Sequence, residues 1–505
     1  MSTRRPPTAL LSVYDKRGVV GFARSLCSLG WRLVASGGTA RELAAAGVPV
    51  VDVAEITGVP AILDHRVVTL HPRVHGGVLA DPGDQQHIAD MAAHGIEVID
   101  LVVVNLYPFE AQPSIDTIDV GGPALVRAAA KNHARVGVVV HTADYPSVLD
   151  ELTRHGALSA STRHRLARDA FAEVAAYDAA IARWFHLDTV DDEVLPDRIG
   201  LDLERVQVLR YGENPHQRAA LYRGPGGGGW PERAVHHQGK DLSYLNLLDA
   251  DAAWRLVHRF DEPAAVVVKH AGPCGVAVAD DVEAAYVAAH GCDPMSAFGG
   301  VVAVNRPVTV GMAKALVRVF TEVLIAPSID AAATAVLAAR PDLRVLSAPA
   351  PTAHQLEVRP LDTAFLVQEV DPVAIDRSAW HVVSARQPTP EEWAALEFAW
   401  NVCASVSSNA VVVARDGRAV GIGGGQPNRV DAARLAIGRA GTAAVGAVCA
   451  SDGFFPFPDA VDELATAGVT AVVQPGGSIR DAEVVAAADR LGLAMVVTGE
   501  RHFRH

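Results

Sequence analysis

Residues 32–39, Arg32-Leu33-Val34-Ala35-Ser36-Gly37-Gly38-Thr39, decide the fold of the first part of the chain. A short β-rich run ends in a hydroxyl and two glycines, and a helical stretch, Ala40–Ala46, follows at once. That order is a strand running into a helix N-terminus, where glycine permits close backbone approach and free N–H groups suit an anion. Working outward, strand-like runs recur at Ala9–Val13, Val48–Val53, Leu101–Val104 and Val136–Val140, with helical stretches such as Val19–Leu29 between them. This alternation predicts an α/β fold with a parallel sheet covered by helices. Tyr145–Arg154 and Ser161–Phe185 carry apolar residues every three or four positions and predict two further helices.

The ends of these strands carry the chemistry. Ser12-Val13-Tyr14-Asp15-Lys16 closes the first strand, and with Ser36–Thr39 it supplies hydroxyls, an ammonium and a helix start to one phosphate pocket. Asn105-Leu106-Tyr107-Pro108-Phe109 closes another strand, and Ile118-Asp119-Val120-Gly121-Gly122-Pro123 opens a helix ending in Ala130-Lys131-Asn132-His133. The phenol of Tyr107, the carboxylate of Asp119 and the amine of Lys131 suit proton handling during a ring closure. The plainer alternative makes Asp119 a helix cap and Lys131 a solvated cation. His71 and His75 have the i, i+4 spacing of zinc ligands, but Pro72-Arg73-Val74 brings no glutamate and no third ligand is near, so no metal is expected.

The second half alternates again. Strands are expected at Ala264–Val268, Val301–Val304, Ala410–Ala414, Thr470–Val473 and Ala494–Thr498, and helices at Ala331–Arg340 and Val430–Arg439. This predicts one or two further α/β layers without short-period repeats or heptads. Asp191–Asp202 is weakly patterned and is the expected boundary, giving domains 1–195 and 203–505; Gly224–Gly229 reads as a surface loop. The run Ala264–Val268 delivers Lys269-His270 toward Gly272-Pro273-Cys274-Gly275, which reads as a turn. A cation beside a titratable imidazole suits stabilising an oxyanion while a proton moves. The basic end, Arg501-His502-Phe503-Arg504-His505, reads either as a solvated tail or as a lid over a phosphate.

The composition bounds the class. The chain has 505 residues, half of them hydrophobic and a fifth charged, and a formal charge of −14 that argues against a general nucleic-acid surface. No apolar run approaches the roughly 18 residues of a membrane span, and Ala9–Val13 is too short for a secretory core. Cys27, Cys274, Cys292, Cys403 and Cys449 lack Cys-x-x-Cys spacing and read as reduced thiols in a cytoplasmic protein.

With these motifs in one order, the sequence resembles the bifunctional purine-biosynthesis family that joins 5-aminoimidazole-4-carboxamide ribonucleotide (AICAR) formyltransferase to inosinate (IMP) cyclohydrolase. Ser12–Lys16, Ser36–Thr39, Arg66–Pro72, Asn105–Phe109 and Ile118–Asn132 resemble its methylglyoxal-synthase-like cyclohydrolase domain. Arg210–Gln217, Lys269–Gly275, Ser296–Gly300, Ser408-Asn409, Gly421–Gln426 and Ser451–Phe457 resemble its larger, cytidine-deaminase-like α/β formyltransferase region. The resemblance implies that His270 takes the proton of the substrate amine as it attacks the formyl carbon of 10-formyltetrahydrofolate. Lys269 would stabilise charge, and Asn409 would bond the formyl group. Arg210, with Tyr211 beside it, and Arg501 would grip the 5′-phosphate, while Asn246 and Phe298 position the base. In the cyclohydrolase, Tyr107, Asp119 and Lys131 match site positions, and Ser12, Lys16, Ser36, Thr39, Arg66 and Thr69 would hold formyl-AICAR and IMP. A homodimer is implied, with AICAR and folate as small-molecule partners and neither nucleic acid nor membrane.

The chain also departs from that pattern. Val68 stands where the family has a lysine, the connection from Tyr107 to Asp119 is shortened, and Arg17, Gly272, Ser407 and Ser328-Ile329 replace other residues. These departures leave open a divergent paralogue acting on a related aminocarboxamide ribonucleotide, and a first domain that only senses nucleotides.

Overall fold

The computed structural model describes residues 5–63, 66–187, 194–224, 227–353 and 356–505. It packs as two compact units, Met1–Asp202 and Leu203–His505. The expected boundary segment 191–202 and the glycine run 224–229 lie partly outside the described residues.

The first unit runs β1 (Thr8–Val13), α1 (Val19–Ser28), β2 (Arg32–Ala35), α2 (Gly37–Ala45), β3 (Val51–Asp52), α3 (Val53–Thr57), α4 (Pro72–Leu79) and α5 (Gln85–His94). It continues with β4 (Leu101–Asn105), α6 (Gly121–Lys131), β5 (Gly137–Val139), α7 (Tyr145–His155) and α8 (Ala160–Leu187). The five strands form one parallel sheet in the order β3-β2-β1-β4-β5. Strands buried on both faces read as near-continuous apolar runs, and Leu10, Leu11, Leu33 and Val102 are fully buried.

The expected strand Val48–Val53 shrinks to two residues. Asp52 accepts from Ala54 N at 2.8 Å and Glu55 Oε1 accepts from Asp52 N at 3.1 Å, a capping box that starts α3 instead. Two helices, α4 and α5, were not expected. Pro72 at the first position and a bond donated by Arg73 N to His71 Nδ1 at 3.1 Å set the start of α4. Helix α5 buries none of its residues, so no apolar stripe marks it in the sequence.

The second unit opens with a separate hairpin, β6 (Glu204–Val208) and β7 (Ala220–Arg223), then α9 (Trp230–Arg233), β8 (Val235–Gln238) and α10 (Tyr244–Val257). There follow β9 (Ala264–Lys269), β10 (Gly272–Val278), α11 (Val282–His290), α12 (Pro294–Ala297), β11 (Gly300–Val304), α13 (Val310–Leu316), β12 (Thr321–Ala326), α14 (Ala331–Leu337) and β13 (Arg344–Ser347). A second separate hairpin, β14 (Leu356–Leu361) and β15 (Ala364–Glu369), precedes β16 (His381–Val382) and α15 (Pro390–Cys403). The chain ends with β17 (Val411–Arg415), β18 (Arg418–Gly423), α16 (Arg429–Ala440), β19 (Val448–Ser451), α17 (Asp459–Thr466), β20 (Ala471–Gln474), α18 (Asp481–Leu491) and β21 (Ala494–Val497).

Twelve strands make one mixed sheet, β16-β21-β20-β19-β17-β18-β10-β9-β11-β12-β13-β8. Read from its middle, the order is the same outward in both directions. Each half has a hairpin (β9–β10 or β17–β18), an antiparallel neighbour (β11 or β19), two parallel strands (β12–β13 or β20–β21) and an antiparallel edge strand (β8 or β16). The halves join through antiparallel β10 and β18. The likeness extends to detail. A capping box starts α10 at Ser243 and α15 at Thr389, and a Cβ added at Gly275 or Gly421 would overlap the carbonyl oxygen of Ala289 or Ala436 respectively. The expected layers are thus one long sheet of two equivalent halves, a repeat too long to show as a period. Among the described residues no helix is long and apolar enough to cross a membrane.

Candidate active sites

In the first unit the ends of β1, β2 and β4 and the starts of α2 and α6 surround a cavity of about 1000 Å3. Ser12, Lys16, Ser36, Thr39, Arg66, Thr69, Tyr107 and Asp119 all line it. The Ser12 and Ser36 hydroxyls lie 2.8 Å apart, and Ser36 makes no side-chain bond to its own helix start. A Cβ at Gly38 would meet Lys16 Nζ at 3.6 Å and Arg41 Nη2 at 3.8 Å, so two cations converge on this helix start. Arg41 was not singled out in the sequence, although it follows the Ser-Gly-Gly-Thr turn by two residues.

Thr39 lines the cavity and also ties it to β1. It is buried, and its hydroxyl donates to Val13 O and accepts from Val13 N, both at 3.0 Å, so it fixes the strand end. Asn105 does the same for the next loop, accepting from Tyr14 N at 2.7 Å and Asp15 N at 2.9 Å and donating to Asp15 O at 3.0 Å. Arg17 turns away to pair with Asp15. Val68 lines the cavity, and Arg66 pairs with Asp116 at 3.1 Å across exposed surface.

Asp119 sits just before α6, where its Oδ1 accepts from Gly122 N at 2.8 Å. Burial pushes its carboxyl pKa up, against the lowering effect of the Gly122 and Gly121 amides. Burial and the Asp119 charge raise the Tyr107 phenol, which therefore stays protonated as a donor. A Cβ at Gly122 would overlap Asp119 Oδ2, so only glycine permits this arrangement. Lys131 is not brought here. It is exposed at the far end of α6, an 11-residue helix about 16.5 Å long at ~1.5 Å per residue, and it does not line the cavity.

In the second unit the turn lies elsewhere than expected. Gly272-Pro273-Cys274-Gly275 begins β10, and Lys269 pairs directly with Gly272, leaving His270-Ala271 as a two-residue turn. Both have left-handed φ, 55° and 58°, a strained turn in which glycine and asparagine are usual, which is why the sequence pointed one step too far. Asp249 Oδ1 accepts from Ala271 N at 2.6 Å and holds the turn. His270 projects exposed at its tip, and Lys269 Nζ donates to Phe298 O at 2.6 Å. Asn246, expected at the base, has its Oδ1 engaged by Ser243 N at 3.1 Å in the capping box of α10.

A second cavity, of about 460 Å3, is lined by Asn409, Arg429, Phe454, Arg501 and Phe503 among others. Asn409 Oδ1 accepts from Arg429 Nη2 at 2.8 Å and its Nδ2 donates to Gln426 O at 2.8 Å. Buried Arg429 also pairs with buried Asp452, which accepts from Ser408 Oγ and from Ala410 N. The chain end is anchored, with His502 Nδ1 2.7 Å from Asp371 Oδ2 and Ser408 N donating to Arg504 O at 2.9 Å. His270, Lys269, Phe298, Asn246 and Arg210 do not line this cavity; Arg210 lies over the ring of Tyr211 at 5.2 Å.

Comparison with known proteins gives this geometry its context. A model of the AICARFT/IMPCHase bienzyme matches residues 129–439, and one of the MGS-like domain matches residues 18–133. The chain belongs to the AICARFT/IMPCHase bienzyme family. It is 52% identical to the bifunctional purine biosynthesis protein PurH of Myxococcus xanthus over 98% of this chain and 100% of that one. It is 48% identical to PurH of Parvibaculum lavamentivorans over 99% and 98% respectively. The crystal structure of ForH, 40% identical, covers 36% of this chain and 100% of its own at a TM-score of 0.33. In the bienzyme's terms the first cavity lies in the MGS-like unit, and the Lys269-His270 turn lies in the larger one.

Proposed function

We propose that the larger unit transfers the formyl group of 10-formyltetrahydrofolate to the 5-amino group of AICAR, and that the first unit closes formyl-AICAR to IMP. What carries this reading is the match of nearly the whole chain to bifunctional relatives at about half identity. In formyl transfer the amine nitrogen bonds to the formyl carbon as the bond to the folate nitrogen breaks. His270, exposed on a strained tip, takes the amine proton, which passes on to the departing folate nitrogen, and Lys269 keeps two ammonium protons beyond its bond to Phe298 O for the developing charge. Arg210 and Arg501 are the phosphate ligands, acting through charge-assisted bonds.

In ring closure the carboxamide nitrogen bonds to the formyl carbon and the formyl oxygen leaves as water. Asp119 accepts the nitrogen's proton, and Tyr107, kept protonated, donates toward the formyl oxygen. Lys16 with the Ser12–Ser36 pair and the start of α2 holds the phosphate, with Arg66 and Thr69 also lining the cavity. Thr39 supports this pocket through the backbone of Val13, and Lys131 lies outside the cavity's lining.

The formyltransferase works as a homodimer in this proposal. Asn409 and Arg501 line a cavity that His270 does not reach, so a second copy of the chain supplies the missing half of the site. Exposed Val208, Phe365 and Leu366 on the two separate hairpins suit such an interface. Mass spectrometry of the products from AICAR and 10-formyltetrahydrofolate tests the function. Formyl-AICAR and IMP are expected; no formylated product would sink the reading.

A further inference from the structure

We infer that Tyr177, on α8, is a positioning residue for ring closure, holding the loop that presents Asp119 to the first unit's cavity. The inference rests on the reading of that cavity as the ring-closing site. The Tyr177 ring is buried and packs edge-on to Phe109, with centroids 6.2 Å apart. Its hydroxyl makes two bonds to one loop, donating to Thr117 O at 2.8 Å and accepting from Asp119 N at 2.7 Å.

That loop, between β4 and α6, is tied mostly to itself. Thr117 Oγ1 reaches Gln112 O at 2.8 Å and Ser114 O at 2.9 Å, both within the segment. Its outward ion pairs, Asp116 with Arg66 and Glu110 with Arg183 of α8, lie largely in solvent and contribute little. Tyr177 is different in kind, because a buried phenol on a long helix grips the backbone on both sides of Ile118. Ahead of the grip, Gly122 N fixes the Asp119 carboxylate at 2.8 Å. The carboxylate is therefore held from behind through its own amide and from in front through Gly122. Removing the hydroxyl leaves Asp119 N and Thr117 O without this partner, and groups so exposed draw the loop toward water. The carboxylate then loses both its alignment and part of the burial that raises its pKa.

Tyr177→Phe in the full-length chain, assayed on synthetic formyl-AICAR, tests this. Because small misplacements of a reacting group cost up to about 10²-fold, kcat for closure should fall about 10- to 100-fold with KM within about threefold. The acid limb of the pH–rate profile should move to lower pH as the carboxyl returns toward its ordinary range. Formyl transfer by the other unit should change by less than about twofold. Unchanged kcat and acid limb overturn the inference, as does a fall in closure matched by an equal fall in formyl transfer. Amide exchange in the unaltered enzyme gives a second arm that needs no variant. Protection of the Asp119 amide is expected, and exchange as fast as a free loop overturns the tie. Wild type that binds formyl-AICAR without closing it refutes the ring-closure reading instead, and the exchange arm still decides whether Tyr177 holds the loop.

Discussion

His270 stands at the first of two left-handed positions in a hairpin turn, and its neighbour Ala271 occupies the second. Neither residue favours that conformation, and the turn is held by Asp249 Oδ1 and by the Lys269–Phe298 bond. Strain retained under such support points to a side chain whose direction matters. His270→Ala should therefore lower formyl-transfer kcat by about 10²- to 10⁴-fold while the nucleotide KM changes little; retention of more than about a tenth of kcat would contradict the base assignment. Asp119 makes a prediction of opposite sign for stability. Its folded pKa is raised, so stability is full at low pH and is lost as pH rises through that value. Asp119→Asn keeps the acceptor for Gly122 N and removes the buried charge. It should melt above wild type at neutral pH, lose that advantage below the ordinary carboxylate range, and close no ring. Residue types alone single out His270, Tyr107 and Asp119 as candidates, because imidazole, phenol and carboxylate carry their chemistry with them, and the cap reading of Asp119 stays open beside it. Asn105, Tyr177 and Arg41 stayed hidden, since their significance lies in partners that only the fold brings near.

Elements built from buried β-branched runs were the most legible, and β2 begins and ends where its sequence predicts. The duplication of the large unit was not legible, because its halves share geometry rather than residue types. The turn His270-Ala271 corresponds to Asp416-Gly417, again with two left-handed residues, at 52° and 69°. Lys269 Nζ bonds Phe298 O in one half, and Arg415 Nη1 bonds Val445 O at 2.8 Å in the other, each acceptor preceding a left-handed glycine, Gly299 or Gly446. The cation-to-carbonyl latch thus belongs to the fold, and only one half adds an imidazole. Arg415→Met should cost about 1 kcal/mol of stability and leave formyl transfer within about twofold, whereas Lys269→Met should also lower kcat, and Lys269→Arg should restore much of it. Parallel calorimetry and kinetics of the three variants decide this, and equal kinetic losses from Arg415→Met and Lys269→Met would show that the latch has no special role beside His270. At Gly421, where an added Cβ would overlap Ala436 O, substitution by alanine should destabilise the unit as much as the same change at Gly275.

Across the whole molecule the two activities must be matched, since one unit makes what the other consumes. Val68 bears on that balance. It lines the ring-closing cavity where the family resemblance places a lysine, and it offers neither charge nor donor to the leaving formyl oxygen. Arg17 does not line the cavity and is paired with Asp15 on the exposed side of its loop. Lys16 lies at the start of α2, beside Gly38 and Arg41, where the phosphate reading needs it. Tyr107 is left as the donor at the reacting end. Loss of one preorganised donor costs on the order of 10²–10³-fold in rate, so ring closure should lag behind formyl transfer and formyl-AICAR should build up during turnover. Val68→Lys should speed closure and abolish that build-up without altering transfer, because the substitution lies in the first unit alone. The course of formyl-AICAR and IMP after mixing AICAR with 10-formyltetrahydrofolate, followed for wild type and variant, measures both steps at once. Should the wild type close the ring as fast as it formylates, and Val68→Lys bring no gain, Tyr107 and Asp119 suffice and the lysine is dispensable at this site.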